Sequence, residues 1–409
     1  MELLKVSTLT DAREGLLENT TNKEFPIEKI PLIEGLGRVL AADIVSPMMV
    51  PDFRRSTVDG YALKAEDTWG AGDSTPVFLE LIEDVPMGCE PKKRVNSREC
   101  SYVPTGGMLP EGADAMVMVE YCEPFDENHI AVYNHGEKGS CIVQIGEDLK
   151  EGELVFRTGR KLTPGDVATL ASIGISQIQV VKPPTITIIS TGDELAKPGK
   201  EKSVGQVYEI NSYGLYCQAI QNGFKVNAVN VVQDKEPLLS EKVKEMMKAS
   251  DFIVVSGGSS QGKQDVTKEV LDKLGKPGVF VYGIAFKPGK PTILGYDEET
   301  ETILVGLPGH PVAAMIIFEL VVLWYYRQKT GVEVGIAIPA IFESNLPSAP
   351  GRETCQLVEL IQREEGYIAR PILGKSGLIS TLSKSEGYVM IDRNKEGIKA
   401  GEVVKVYLL

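Results

Sequence analysis

The spacing of apolar and polar positions changes character along the chain. Residues 1–47 carry a helical pattern and predict one or two helices; Thr10 and Asp11 can cap the first, and Leu16 and Leu17 precede the polar break ENTTNKEFP. From about 48 to 139 the pattern turns to short alternating runs, such as PVFLELIEDV and DAMVMVEY, broken by Gly and Pro. That predicts a small β-rich unit. Residues 140–180 add turns, a strand and a helix framed by Thr163 as cap, Pro164 in the first turn and Gly174 past the end. This segment can fold back on residues 1–47, leaving 48–139 as an insertion.

The next stretch alternates strands with helices. PTITIIS, FKVNAVNVV, DFIVVS and ETILVGL read as strands. NSYGLYCQAIQNG reads as a helix with Asn211 as cap, apolar pairs Leu215/Ala219 and Tyr216/Ile220, and Gly223 as stop. Further helices are expected at about 235–248, 264–274 and 311–328. Such alternation implies right-handed crossovers and a largely parallel sheet. The last 80 residues return to short strands with polar turns and predict a small β-barrel or sandwich. The expected architecture is therefore multidomain α/β plus β. A linker domain (1–47 with 140–180) carries the inserted β-rich domain (48–139), and a central α/β domain (181–329) precedes a C-terminal β-barrel domain (330–409).

Polar, glycine-rich motifs follow the strands: STGDEL, QDKE, SGGSSQGKQD and GLPGHP. Open α/β sheets bind ligands outside the carboxyl ends of their strands, so four loops should converge on one site. Gly257, Gly258 and Gly262 allow a backbone that approaches an oxyanion closely, and Ser259 and Ser260 add hydroxyl donors. The same loop also reads as a tight strand-to-helix turn, with Asp265 merely opening a helix. Lys287 and Lys290, three apart around a Pro-Gly turn, suit a phosphate, although a solvated lysine turn has the same sequence. Glu194, Asp234 and Asp265 all fall just past strand ends. Three carboxylates beside an anion cradle repel the ligand unless a cation lies between them, and Mg²⁺ with oxygen ligands resolves that conflict. His310, alone in a PGHP turn, reads as a hydrogen-bonded structural residue.

Length and charge narrow the picture further. A chain of 409 residues allows two to four domains, and a net charge of -14 argues against broad nucleic-acid binding. Any anionic ligand must be held by a local site. Six cysteines without a C-x-x-C pair and three unclustered histidines argue against structural zinc and for reduced thiols in a cytoplasm. The acidic, amphipathic N-terminus does not read as a secretory leader. The longest apolar run, Val312 to Tyr326, contains Glu319 and is shorter than the ~20 residues of a membrane span.

Taken in order, these motifs resemble the molybdopterin molybdenumtransferases of the MoeA type, which include the C-terminal domain of gephyrin. PDFRRSTVDGYA (51–62), VPTGGMLPEGADAMV (103–117), GEDL (146–149), STGDEL, SGGSSQGKQD, KPGKP, GLPGHPV and GKSGLISTLSKSEGYVMI carry the likeness over nearly the whole chain. The resemblance implies transfer of molybdate to the dithiolene of adenylylated molybdopterin, with Mg²⁺-dependent release of AMP. It also implies a cytoplasmic homodimer whose cleft is shared between subunits, supplied with pterin by a molybdopterin adenylyltransferase and free of nucleic-acid or membrane partners. Motif matching implies functional roles for Asp59, Thr105, Glu194, Asp234, Asp265, Lys287 and Ser376, with Ser56, Lys290, Pro308 and Gly309 beside them. Glu194, Asp234 and Asp265 are the implied metal ligands. The chain departs from the family at Arg55 (commonly Asn), Gly283 (commonly Lys), His310 (commonly Asn) and Gln356 (Arg in some members), with Arg55 a substitute for holding the oxyanion. A tungstate-specific insertase, an adenylyltransferase on the same α/β domain and a pterin-binding scaffold are the alternative readings.

Overall fold

Six strands form the central sheet: β1 (Thr185–Thr191), β2 (Lys225–Val232), β3 (Phe252–Gly257), β4 (Pro277–Tyr282), β5 (Ile293–Asp297) and β6 (Thr302–Leu307), in the order β2-β1-β3-β6-β5-β4. The computed structural model describes residues 6–257, 265–333, 335 and 337–409. Strands β2, β1, β3 and β6 pair in parallel, whereas β5 and β4 are antiparallel additions at one edge. The alternation of strand and helix predicts the parallel part. It misses β4 and β5, because only residues 283–292 connect them, which is too short for a crossover helix. Strands β3 and β6 are buried along nearly their whole length, as parallel strands covered on both faces must be.

Helices cover both faces. They are α1 (Leu9–Asn19), α3 (Asn211–Gln221), α4 (Glu236–Met247), α5 (Val266–Leu274), α6 (Pro311–Ile317) and α7 (Trp324–Thr330), while α2 (Pro164–Ser172) packs apart from the sheet, on the strands Ile27–Pro31 and Gln177–Val181. A π-helical turn, Phe318–Leu323, joins α6 to α7 into one helical run. Helices α4 and α5 bury Leu239, Val243, Val270 and Leu271 on one face of the sheet, and α3, α6 and α1 pack on the other. The helix α2 has the Thr163 cap and Pro164 predicted from sequence, with Gly174 at φ +78° just beyond it.

Three local expectations are corrected. The first helix is capped by Thr8, with Asp11 closing a capping box, not by Thr10 or Asp11. The second helix shrinks to a single 3-10 turn, Leu32–Glu34, because the residues before it, Ile27–Pro31, form a strand paired with Gln177–Val181. In α3, Leu215 and Ala219 face the core while Tyr216 and Ile220 are exposed, so only one of the two apolar pairs is buried. The α1 helix packs on the α/β unit through Leu9, Ala12 and Leu16. Behind it the nearly buried Lys23 ammonium reaches Asp251 at 2.6 Å, and Asp251 also accepts from the Thr185 amide and hydroxyl at 2.7 Å.

Two β units complete the chain. Residues 60–132 hold a six-stranded sheet built around the pairs Gly60–Leu63 with Glu99–Val103 and with Ala115–Met118. The C-terminal strands β7 (Ile338–Phe342), β8 (Glu353–Arg363), β9 (Gly366–Pro371), β10 (Gly387–Ile391) and β11 (Val403–Leu408) close into a five-stranded barrel, since β10 pairs with both β11 and β8. A two-residue strand, Phe286–Lys287, adds to the start of β8 and ties the barrel to the α/β unit. Among the described residues no helix is long and apolar enough to cross a membrane.

Candidate active site

The N-terminus of α3 sets the spacing of three strand-end loops. Glu209, 2% exposed, accepts from the Ser190 hydroxyl at 2.8 Å and the Ser212 amide at 2.7 Å. It thereby fixes the end of β1 and serves α3 as its capping acceptor. Asn211, expected as the cap, is instead the first residue of the helix. Its amide nitrogen donates to the Ser256 hydroxyl and the Gly309 carbonyl, both at 2.8 Å, so one side chain joins the ends of β3 and β6. Gly257 has φ +106°, and a Cβ there would lie 2.1 Å from the Thr191 carbonyl oxygen. Only glycine lets β1 and β3 stay that close at the site.

Beyond these strand ends lies a cleft of about 1020 Å³ between the α/β unit and the barrel. Glu194, Asp234, Gly257, Lys287, Lys290, Pro308, Gly309 and Ser376, all named from sequence, line it. Sequence reasoning missed Arg352 and Lys375, which bring two more cations from the barrel side. All four cations are exposed, and none enters an ion pair among the described residues. In so acidic a chain, four unpaired cations around one cleft make a local anion site. Lys375 sits inside a quoted motif, GKSG, and Arg352 in APGR; neither has a periodic or spacing signal that separates it from a surface turn.

His310 Nδ1 lies 2.9 Å from the Ser376 hydroxyl, and the Val312 amide donates to the Ser376 carbonyl at 3.3 Å. The PGHP turn is thus tethered to the barrel's GKSG turn across the cleft floor, in agreement with a structural reading of His310. Gln356 also faces the cleft, but its amide nitrogen donates to the carbonyls of Leu357 and Ile372, both at 2.8 Å. Only its oxygen remains free for a ligand. Gly283 has φ +91°, a backbone that a lysine side chain adopts poorly.

Glu194 and Asp234 line the cleft on the α/β side, whereas Asp265 is not among its lining residues. Asp234 is pushed above the ordinary carboxylate range first by burial, a rise that the Thr191 hydroxyl partly offsets and Asp193 and Glu194 reinforce. Asp265 is raised first by burial; the Lys268 amide and the Tyr282 hydroxyl act against that rise, and the charge of Asp234 adds to it. Acidic neighbours thus oppose the ionisation of both, Asp193 and Glu194 at Asp234 and Asp234 at Asp265, a crowding of carboxylates that a cation would relieve. They do not form a closed metal cage: among the described residues no three His, Cys, Asp or Glu side chains gather closely enough to hold an ion. The reason is local. Glu194 curls back over Gly192, the Thr191 hydroxyl lies 3.4 Å from Asp234, and Asp265 is occupied in capping α5 at 3.0 Å from the Lys268 amide. The helix-opening role that sequence allowed for Asp265 is therefore real, alongside its place beside Asp234.

Ser56, Asp59 and Thr105 are not brought into this cleft. They sit together in the β-rich unit, where Asp59 accepts from the Thr105 amide at 2.8 Å. The Ser56 hydroxyl is turned inward onto Val58, donating to its carbonyl at 2.5 Å. Arg55 stands in the same unit, on a short strand paired with Ile142–Val143. It does not line the cleft of its own chain; the arginine that does is Arg352. Gly258, Ser259, Ser260 and Gly262 lie outside the described residues.

Comparison with known proteins gives a consistent result. Three family profiles match: the MoeA N-terminal region (domain I and II) over residues 7–174, a "Probable molybdopterin binding domain" over 187–328 and the MoeA C-terminal region (domain IV) over 339–409. The molybdopterin molybdenumtransferase of Haemophilus influenzae is 32% identical over 413 residues, which take in 98% of each chain. That of Bacillus subtilis is 31% identical over 397 residues, 95% of this chain and 91% of its own. The crystal structure of the molybdopterin biosynthesis MoeA protein from Pyrococcus horikoshii superposes with a TM-score of 0.82 at 32% identity, covering 99% of this chain and 100% of that one.

Proposed function

The chain belongs to the MoeA family, and on that footing we propose that it is a molybdopterin molybdenumtransferase of molybdenum cofactor biosynthesis. It takes molybdopterin in adenylylated form, transfers molybdate to the dithiolene and releases AMP with Mg²⁺. The observation that carries this reading is the division of charge in the cleft, with Glu194 and Asp234 on the α/β wall and Lys287, Lys290, Arg352 and Lys375 around the remainder.

Lys287 and Lys290 grip the phosphate of the pterin and stabilise the leaving AMP, with Arg352 and Lys375 closing the barrel side. Asp234 and Asp265, with Glu194 beside them, hold Mg²⁺. The residues present suit that ion: hard oxygen donors, two carboxylates raised by burial and acidic neighbours, and no closed cage, since Mg²⁺ takes one or two carboxylates and completes its shell with water and substrate phosphate. When bound, Mg²⁺ offsets the charge that develops on the cleaved phosphate. Asp59 and Thr105 serve the dithiolene and molybdate end from a second copy of the chain; their position outside their own subunit's cleft supports that reading.

The test mixes the protein with adenylylated molybdopterin, Mg²⁺ and molybdate and follows AMP by chromatography. AMP that appears only with the oxyanion is the expected result. Pterin binding without AMP release under molybdate or tungstate would remove the transferase reading in favour of a carrier; release with tungstate alone would identify a tungsten insertase.

A further inference from the structure

Asp265 uses its two carboxylate oxygens differently. Oδ1 accepts the Lys268 amide at 3.0 Å and so belongs to the start of α5. Oδ2 accepts the Tyr282 hydroxyl at 3.2 Å, its single hydrogen bond among the described residues. A carboxylate held at one oxygen still rocks about its last torsion, which is broad for Asp. The second hydrogen bond stops that motion and fixes where the remaining lone pairs point. Tyr282 is well placed for this task. It ends β4, an edge strand of the sheet, and the Lys268 ammonium lies 5.1 Å above its ring. The phenol is thus held by the strand on one side and by a cation–π contact from α5 on the other. Hydroxyl, carboxylate and lysine form a short chain that links the sheet edge to the helix start.

We propose that Tyr282 is a positioning residue for the site, orienting the Asp265 carboxylate toward a divalent cation through the hydrogen bond to Oδ2. This rests on the Mg²⁺ reading above and adds to it a residue that touches neither the pterin nor the ion. Groups that orient a metal-binding carboxylate commonly change metal affinity by about 10–100-fold when removed. The Tyr282–Asp265 bond is long and half-buried, so the lower end of that range is expected.

The test compares unaltered protein, Tyr282→Phe and Asp265→Asn for Mn²⁺ binding in the presence of AMP, by electron paramagnetic resonance of free Mn²⁺. Tyr282→Phe keeps the ring and the Lys268 contact and removes only the hydroxyl. It should weaken Mn²⁺ binding about 10-fold. With Mg²⁺ and adenylylated pterin it should lower kcat while leaving KM for the pterin unchanged, with the melting temperature held. Asp265→Asn should abolish Mn²⁺ binding. If Asp265→Asn loses Mn²⁺ but Tyr282→Phe binds it within twofold of the unaltered protein, the role of Tyr282 is overturned and the Mg²⁺ reading survives. If Asp265→Asn binds Mn²⁺ normally, or the unaltered protein binds none, the Mg²⁺ reading falls and the role of Tyr282 falls with it.

Discussion

Asp265 does two separable jobs, and two substitutions separate them. As the N-cap of α5 it needs only an acceptor oxygen for the Lys268 amide, which asparagine supplies about as well as aspartate. As a neighbour of Asp234 with a proposed part in holding Mg²⁺, it needs a charge. Asp265→Asn should therefore keep the helix and abolish AMP release. Asp265→Ala should abolish release and also lose the cap, at about 1 kcal/mol. Spread over a unit the size of the α/β domain, that is a fall in melting temperature of ~2–4 °C. The charge also sets the pH trend. Burial, and then the charge of Asp234, raise the Asp265 carboxyl above its unfolded value. A raised carboxylate contributes its full stability below the unfolded value near pH ~4 and loses it as pH rises through the folded value. At neutral pH the ionised group thus weighs against the fold, so Asp265→Asn should melt no lower than the parent at pH 7, and the gap should narrow toward pH 4. Calorimetry at the two pH values, with AMP release in parallel, measures both jobs. Normal AMP release by Asp265→Asn would refute the catalytic role. A melting temperature for Asp265→Ala equal to that of Asp265→Asn, which also lacks the charge but keeps the acceptor, would refute the capping argument.

Three further outcomes follow from single contacts. Lys23→Met leaves the half-buried Asp251 without its cation and should cost about 3 kcal/mol in urea unfolding at pH 7. Burial alone would raise Asp251, but the bonds from Lys23 and Thr185 hold it below the ordinary range; its contribution is therefore present above pH ~4 and lost below, and the cost of Lys23→Met should shrink in acid. Arg352→Ala should weaken AMP binding about 10-fold, the loss of one charge-assisted hydrogen bond, and flatten its salt dependence in titration calorimetry. An Arg352→Ala variant that matches the unaltered protein in affinity and in salt dependence would place Arg352 outside the anion site. Gly283→Ala has room, since the nearest atom to its new Cβ is the Lys290 carbonyl oxygen at 3.5 Å, but at φ +91° it should cost about 1–2 kcal/mol, read as a lower melting temperature.

Sequence patterning reaches furthest where a local rule and the tertiary context agree. Thr163, Pro164 and Gly174 mark α2 because capping chemistry is a property of a few adjacent residues. The buried parallel strands announce themselves as unbroken apolar runs. The antiparallel pair β4 and β5 does not: Pro277–Tyr282 and Ile293–Asp297 are short and sit among Gly and Pro, so their pairing is decided only by the sheet edge waiting for them. The site shows the same division. Motifs placed after strands are legible, and Glu194, Asp234, Lys287, Lys290 and Gly309 do line one cleft. Arg352 and Lys375 are not, since their relevance comes from the barrel being packed against a sheet that ends more than 40 residues earlier in the chain. Tyr282 is invisible for a related reason: its hydroxyl matters only because α5 starts opposite the end of β4.

The way the barrel is attached bears on how the cleft uses its charge. Lys287 comes from the α/β segment in sequence, yet its backbone is in register with Thr354 of the barrel sheet, while the carboxylates of Glu194 and Asp234 stand at the ends of β1 and β2. A side chain moves with the sheet that holds its backbone. Any shift of the barrel relative to the central sheet therefore carries Lys287 with Arg352 and Lys375, and changes the distance between the cationic group and the carboxylates as a whole. The His310–Ser376 contact and the Val312–Ser376 hydrogen bond resist such a shift at the cleft floor. In an acidic protein this arrangement lets an anionic ligand be drawn in by one wall while a cation settles on the other. It makes the junction between sheet and barrel, more than any single loop, the element that sets the geometry between them.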